Sequence, residues 1–132
     1  MRKLLLATVL SVITQSAIAE WTYAGKPFDG EYKLYIDLAS IKRGEIEVTV
    51  WQLTDYAYLR KEVNGNYKSV VEKFEYNCKN ESYRVSTYFK YEGQMQTGNV
   101  IKTSKYTLQT FPFQEIVPNS VISNVFEAVC KQ

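Results

Sequence analysis

This 132-residue sequence contains no histidine. Its carboxylates and two cysteines are therefore the first side chains to consider for acid–base, nucleophilic or metal chemistry. Histidine is the side chain whose ordinary pKa lies near neutrality, so its absence excludes Ser/His and Cys/His nucleophile pairs and histidine metal sites. Carboxylates alone can hydrolyse glycosidic bonds, and Asp29, Asp37 and Asp55 are candidates, but their spacing marks no catalytic pair. Glycine-rich phosphate loops and calcium loops are also absent from the sequence. We predict no catalytic residues, no metal and no cofactor.

The first 19 residues have the three parts of a secretory signal peptide. Arg2 and Lys3 form a basic start, an uncharged apolar run follows, and alanines occupy the two positions that a signal peptidase reads. The apolar run would make a helix of about 15 Å, whereas a bilayer core requires about 30 Å. We predict cleavage after Ala19, a mature domain of residues 20–132 without a membrane span, and export to the periplasm, the outer surface or the medium.

Cleavage after Ala19 also changes the charge of the protein. It removes Arg2 and Lys3 and no acidic residue, which leaves 14 basic and 14 acidic side chains. A mature chain without net charge gives no general electrostatic reason to bind nucleic acid. We therefore predict no nucleic-acid partner.

Cys78 and Cys130 are the two cysteines of the chain. Export places them in an oxidising compartment, where an even number of cysteines is expected to pair. A metal or redox role is disfavoured, because the sequence has no C-x-x-C spacing, no histidine and no third cysteine. We predict one disulfide, which would stabilise the fold by about 4 kcal/mol through closure of a long loop.

The elements that would carry these side chains are mostly β-strands. Apolar and polar residues alternate in several segments, which is the pattern of half-buried strands. The predicted strands cover residues 32–38, 46–56, 69–77 and 82–91, with one or two more within residues 99–111. The second of these has apolar residues on both faces near its end, which favours a central position. Turns are predicted at residues 42–45 and 64–66.

One helix is predicted, at the C-terminal end. Five apolar residues there share one stripe of a 3.6-residue period: Val121, Ile122, Val125, Phe126 and Val129. Asn119 is the expected N-cap, and Pro118 prevents extension upstream. The sequence thus predicts an α+β fold, an antiparallel sheet of about five to six strands with this helix packed on one face.

Two groups of residues are candidate binding surfaces. The first is a basic and aromatic strip on the polar face of strand 82–91, joined across the hairpin by Lys73 and formed by Arg84, Ser86, Tyr88 and Lys90. A solvated sheet face is the alternative interpretation of this strip. The second group contains tyrosines near the turn at residues 64–66, namely Tyr56, Tyr58 and Tyr67. Such tyrosines can anchor a partner, or they can pack along a sheet edge.

Several segments together resemble the surface-adhesin protein E family of Gram-negative bacteria. They are YIDLASI at residues 35–41, VWQLTDY at 50–56, YKS at 67–69, YNC at 76–78, a glycine-bounded loop at 93–98 followed by Asn99 and Val100, IVPNS at 116–120, and the final Val129-Cys130 pair. The resemblance implies a small exported domain in which a disulfide fastens a C-terminal helix to an antiparallel sheet. The founding adhesin of the family is a lipoprotein that binds host matrix and plasma proteins. This chain has Glu20 where the lipid-acceptor cysteine would stand.

The leading functional hypothesis is therefore an exported, non-enzymatic binding protein. Its partner would be a protein or glycan of the host or of the cell envelope, such as a host matrix protein. An alternative is a periplasmic inhibitor of an enzyme such as lysozyme, and a carboxylate-only hydrolase is a third hypothesis. The oligomeric state stays open, because strand 82–91, expected as a long edge strand, could pair with its copy in a homodimer.

Overall fold

The computed structural model describes residues 19–131, which form one antiparallel sheet and one α-helix. The strands are β1 (Trp21–Gly25), β2 (Tyr32–Asp37), β3 (Lys42–Arg43), β4 (Glu47–Glu62), β5 (Gly65–Asn77), β6 (Ser82–Tyr91), β7 (Val100–Lys105) and β8 (Gln114–Glu115), and the helix is α1 (Val121–Cys130). The predicted signal peptide lies outside the described residues, except for Ala19. No helix within residues 19–131 has the length and apolar character needed to span a membrane.

The sheet has the strand order β1-β2-β4-β5-β6-β7, with β3 paired to β4 and β8 paired to β6. The predicted α+β class is confirmed, and the eight strands are somewhat more than the five to six expected. The additional strands are β1 and the two-residue strands β3 and β8. Such short strands carry too few residues to show alternation, so the sequence pattern did not reveal them.

Two local predictions are wrong. Residues 42–45 were expected to form a turn, but Lys42 and Arg43 pair with β4 before the chain turns. Strand 82–91, which a homodimer would use, is not an edge strand, because β5 lies on one side of it and β7 and β8 lie on the other. Among the described residues, the two ends of the strand order are β1 and β7.

The helix packs on one face of the sheet, which we call the helix face. The buried residues of this core are Leu34, Ile36, Val48, Val50, Phe74, Tyr76 and Val85 from the sheet and Val121, Val125, Phe126 and Val129 from α1. This confirms the predicted apolar stripe of the helix. The N-cap is Ser120 rather than Asn119, because the Ser120 hydroxyl accepts a hydrogen bond from the Ser123 N–H at 3.1 Å.

The C-terminal end of α1 is fastened to the sheet. The predicted disulfide is confirmed between Cys78, which follows β5, and Cys130, the last residue of α1, with their Cα atoms 5.4 Å apart. Arg43 of β3 donates a hydrogen bond to the backbone carbonyl of Val129. Both contacts hold the end of the helix against the same end of the sheet.

The opposite face of the sheet is also partly covered, as the apolar residues on both sides of β4 predicted. Leu53 points to this face and is 0% exposed. The loop at residues 93–98 packs here, because the Ser69 hydroxyl donates to the Gly93 carbonyl at 2.6 Å and accepts from the Gln96 N–H at 3.0 Å. The central strand β4 is therefore buried on both faces near its middle.

Candidate functional site

A β-bulge in β6 divides the predicted basic and aromatic strip between the two faces of the sheet. Lys73 pairs with Thr87 and the next residue of β5, Phe74, pairs with Val85, so Ser86 is an extra residue in β6. An extra residue reverses the alternation of side chains on either side of it. The prediction that Arg84, Ser86, Tyr88 and Lys90 share one face is therefore wrong.

The bulge places Arg84 and Lys73 away from the other predicted binding residues. Arg84 is buried, and its guanidinium contacts Glu75 at 3.2 Å and donates to the carbonyls of Tyr106 at 2.7 Å and Phe111 at 3.3 Å. These bonds hold the segment between β7 and β8, so the observed role of Arg84 is structural. Lys73 lies on the face opposite the helix, next to Trp51 in the pairing of β4 with β5.

The same bulge brings Tyr88 and Lys90 onto the helix face with the predicted tyrosines Tyr56 and Tyr67. Tyr67 and Tyr88 are buried in a small second core, and Tyr56 packs against it. The rings of Tyr56 and Tyr67 meet edge to face with centroids 6.0 Å apart. The ammonium of Lys90 lies 4.6 Å from the Tyr67 ring centroid. Four of the seven predicted binding residues thus form one cluster.

This cluster lines a cavity of about 340 Å³ on the helix face. Five of its lining residues are tyrosines, namely Tyr56, Tyr67, Tyr83, Tyr88 and Tyr106. Ile122, in the first turn of α1, also lines the cavity. The cavity therefore begins where the packed core under the helix ends.

Glu72 is the acidic residue that lines this cavity. It lies between Gln52 of β4 and Tyr88 of β6 in the strand pairing. Its side chain is half-buried, and none of the ion pairs and hydrogen bonds within residues 19–131 involves its carboxyl group. Burial raises the pKa of Glu72 to about 7, and the nearby Lys90 opposes this only in part.

The neighbouring Gln52 has an unpaired polar group as well. Its side-chain oxygen accepts a hydrogen bond from the Tyr76 hydroxyl. Its amide Nε2, in a side chain that is almost fully buried, has no hydrogen-bond partner within the described part of the chain. Buried polar groups without partners are rare in folded proteins and require an explanation. Two adjacent polar side chains of this sheet face are thus incompletely paired.

An ionic cluster lies beside the cavity. The Glu62 carboxylate binds Lys90 at 3.0 Å and Lys102 at 2.8 Å. Hydrogen bonds from these two ammonium groups, Lys102 first, hold the pKa of Glu62 below its ordinary value. The charge of Lys90 is therefore engaged by Glu62 rather than by a direct bond to Glu72.

The last predicted residue, Tyr58, lies on an extension of the β4–β5 hairpin. We call residues 56–68 the hairpin arm, because they lie beyond the regular pair Asp55–Ser69. Residues 56–59 oppose only Lys68 here, so the arm begins with a large bulge. Tyr58 is 75% exposed and Val63 at the tip is 101% exposed. The arm thus presents apolar side chains to solvent.

The three aspartates considered for carboxylate chemistry lie apart in the chain: Asp29 in the turn before β2, Asp37 at the end of β2 and Asp55 within β4. Asp29 accepts a hydrogen bond from the Glu31 N–H, Asp37 from the Ala39 N–H, and Asp55 from the Met95 N–H, at 3.0, 3.1 and 2.8 Å. Asp29 and Asp37 therefore stabilise local backbone conformations, whereas Asp55 fastens the loop at residues 93–98 to β4.

Sequence reasoning missed Glu72 and Tyr106 as cavity residues. Glu72 stands between Val70 and Phe74 at the two-residue spacing that shares one strand face, and this was the signal available for it. A carboxylate in an apolar row is unusual and indicates a special environment. Tyr106 offered no such signal, because it follows β7 in an irregular segment.

Comparison with known proteins agrees with the geometry. The model of the family described as surface-adhesin protein E matches residues 21–131. The selenomethionine form of protein E from Haemophilus influenzae superposes with a TM-score of 0.58 at 17% identity, covering 89% of this chain and 94% of that one. Protein E from non-typeable Haemophilus influenzae gives 0.53 at 17% identity, covering 85% and 84%. A search of curated proteins found no match.

The structural likeness, at such low identity, establishes the fold. The family model covers most of the sequence, from the first residue of β1 to the residue after α1. The disulfide, the C-terminal helix and the antiparallel sheet are all present where the resemblance implied them. The chain therefore belongs to the surface-adhesin protein E family.

Proposed function

We propose that this protein is an exported, non-enzymatic binding protein that attaches to a host or envelope protein through its hairpin arm. The observation that carries the proposal is the exposure of Tyr58 and Val63, with Leu59 between them 49% exposed. Tyrosine and aliphatic side chains that protrude from a stable sheet are typical contact residues of protein interfaces. Exposed aliphatic groups favour a protein over a glycan as the partner.

The base of the arm is held firmly, which favours binding with little loss of conformational entropy. The Ala57 N–H donates to the Glu31 carbonyl at 2.9 Å. The Arg60 guanidinium lies 4.8 Å from the Tyr56 ring centroid. Near the tip, Glu62 binds the two lysines of β6 and β7 described above, so the arm is also held there. The arm therefore presents its exposed side chains from a preorganised base.

Export is part of the same proposal. The tripartite segment at residues 1–19 and the membership of a surface-adhesin family both support a cleaved signal peptide. N-terminal sequencing of protein from its native compartment should begin at Glu20. Protease shaving of intact cells should remove the protein if it is displayed at the surface. A protein that is fully protected inside the cell envelope would contradict adhesion to a host.

The binding proposal is tested with oxidised protein immobilised side by side with a double variant, Tyr58→Ser with Val63→Ser. Each is exposed to purified host matrix proteins and, separately, to periplasmic extract. We expect capture of a host or envelope protein by the native chain and a loss of about tenfold or more in affinity for the variant. Phe28→Ser is the matched control, since Phe28 is fully exposed elsewhere on the surface. Equal capture by both variants would contradict the role of the arm.

A further inference from the structure

The tyrosine-lined cavity is separate from the exposed tip of the hairpin arm, and its composition indicates a ligand of its own. The Glu72 carboxyl group lies in the cavity without an ion-pair or hydrogen-bond partner among residues 19–131. The Glu72 side chain is half-buried, and a carboxylate that loses part of its hydration without gaining a partner destabilises the fold. A ligand that supplies the missing positive charge would remove that cost.

Tyrosine rings surround the carboxyl group. The Glu72 charge is close enough to contribute to raising the pKa of Tyr56, Tyr83 and Tyr106, although burial is the larger cause for each. The faces of such rings attract cations, and a carboxylate among several rings is the arrangement that recognises ammonium groups. The cavity of about 340 Å³ leaves room for such a group.

At one side of the cavity, an ammonium group of the chain itself already lies close to tyrosine rings. The Lys90 ammonium lies 4.6 Å from the Tyr67 ring centroid and 5.4 Å from that of Tyr88. Its charge is bound by Glu62, which it shares with Lys102, so it does not form an ion pair with Glu72. An ammonium group is therefore accepted by two of the rings, while Glu72 still lacks a direct cationic partner within the described residues.

We propose that the cavity binds a small organic cation, an alkylammonium ion whose charged head lies between the Glu72 carboxylate and the surrounding tyrosine rings. Lys90 carries the same charge and lies in the same cavity, so it weakens this binding. The proposal assigns a small-molecule site that does not depend on the partner of the hairpin arm.

The test uses choline as the probe and its uncharged isostere 3,3-dimethylbutan-1-ol as the matched ligand control. Binding to the exported, oxidised protein is measured by calorimetry or NMR titration at about pH 8, where Glu72 is ionised. We expect saturable binding of choline and binding of the isostere that is weaker by about tenfold or more. Equal binding of the two compounds, or no choline binding up to about 10 mM, would overturn the proposal.

Three variants complete the test. Glu72→Gln should weaken choline binding by about tenfold or more, since it removes the counter-charge. Glu47→Gln, which changes an exposed carboxylate of β4, should leave the affinity unchanged. Lys90→Gln should strengthen binding severalfold, because it removes the competing cation, and weaker binding in this variant would contradict the proposal.

Misfolding does not account for the expected loss in Glu72→Gln. Removal of a half-buried carboxylate that has no ion-pair partner among residues 19–131 should make the protein more stable at about pH 8, which a melting curve of each variant verifies. The outcome is also independent of the exposed side chains Tyr58 and Val63, which do not line the cavity. The Tyr58→Ser, Val63→Ser double variant should bind choline as the native chain does, so failure of one proposal leaves the other intact.

Discussion

The two ends of the helix face are built from similar strands but differ in what covers them. At one end, Val50 and Phe74 of the sheet pack against Val125 and Phe126 of α1, and these side chains exclude water. At the other end, no helix covers the strands within the described chain, and tyrosines surround a cavity with Glu72. The first end supplies stability, and the second end retains a polar group that decreases it.

The difference follows from length. The ten residues of α1 span about 15 Å, whereas the 16 residues of β4 extend for about 50 Å. One short helix cannot cover the whole face, so the remaining part must tolerate water or a ligand. Tyrosine suits this position, because its ring packs on the sheet while its hydroxyl remains able to bond with solvent. The contrast between the two ends leads to four predictions about stability.

The largest loss of stability is expected at the end of the helix face that α1 covers. Phe126 is 3% exposed and contacts Tyr76, with ring centroids 6.3 Å apart. Phe126→Ala should lower the free energy of unfolding by about 3–5 kcal/mol, since it leaves a cavity beneath the helix. Phe28→Ala, at an exposed position, should change it by less than about 0.5 kcal/mol. Urea denaturation measures both, and similar values for the two variants would contradict the assigned core.

The disulfide should give the next largest effect. Replacement of Cys78 and Cys130 by serine opens the link between α1 and the sheet. We expect a loss of about 4 kcal/mol in the free energy of unfolding, because the unfolded chain gains the entropy of an open loop. Reduction of the native protein should reproduce this loss in the same denaturation assay. An unchanged denaturation midpoint in both experiments would contradict the structural role of the bond.

The end of the helix face that α1 does not cover predicts an effect of opposite sign, in which a substitution stabilises the protein. The folded protein keeps a proton on Glu72 up to about pH 7, whereas the unfolded chain loses it near its ordinary pKa of 4.5. The free energy of unfolding should therefore fall as the pH rises between these values and stay reduced above them. Glu72→Gln should abolish this fall and stabilise the protein by up to about 3 kcal/mol at about pH 8, with no gain below about pH 4.

Denaturation curves across this pH range, recorded for the native chain and for Glu72→Gln, measure the effect. Glu47→Gln is the control, because Glu47 is an exposed carboxylate of the neighbouring strand β4. If the free energy of unfolding depends on pH in the same way in the native chain and in Glu72→Gln, the Glu72 carboxyl group does not destabilise the fold, which would contradict this prediction.

The smallest effect concerns the start of α1. Ser120→Ala removes the hydroxyl that caps the helix and should cost about 1 kcal/mol. Asn119→Gly should cause no loss, because Asn119 has a φ of 60°, which glycine adopts without strain. Thermal melting of both variants shows which of the two residues caps α1. A larger loss for Asn119→Gly than for Ser120→Ala would contradict this assignment.

Long elements with regular patterns could be predicted from the sequence. The strand at residues 69–77, its hairpin partner at 82–91 and the apolar stripe of α1 were all recognised from alternation or helical period. The two cysteines were paired by their number and by the expected compartment. In these regions, local pattern and tertiary packing require the same arrangement.

The features that could not be predicted from the sequence depend on interactions that leave no local sequence pattern. The extra residue Ser86 changed which side chains accompany Tyr88, and a bulge of one residue leaves no mark in composition. The hairpin arm extends β4 to Glu62, although its side chains do not alternate in the way that a half-buried strand would. The cavity itself arises because α1 ends the packed core near Ile122, which only the assembled fold reveals.

The central claim is that the end of the helix face that α1 leaves uncovered holds a half-buried carboxyl group, that of Glu72, without an ion-pair partner among residues 19–131. The most direct test is NMR titration of the Glu72 side-chain carboxyl carbon in the ligand-free, oxidised protein. The account predicts a pKa of about 7 for Glu72. A titration midpoint near the ordinary value of 4.5 would show a solvated carboxylate and contradict the account.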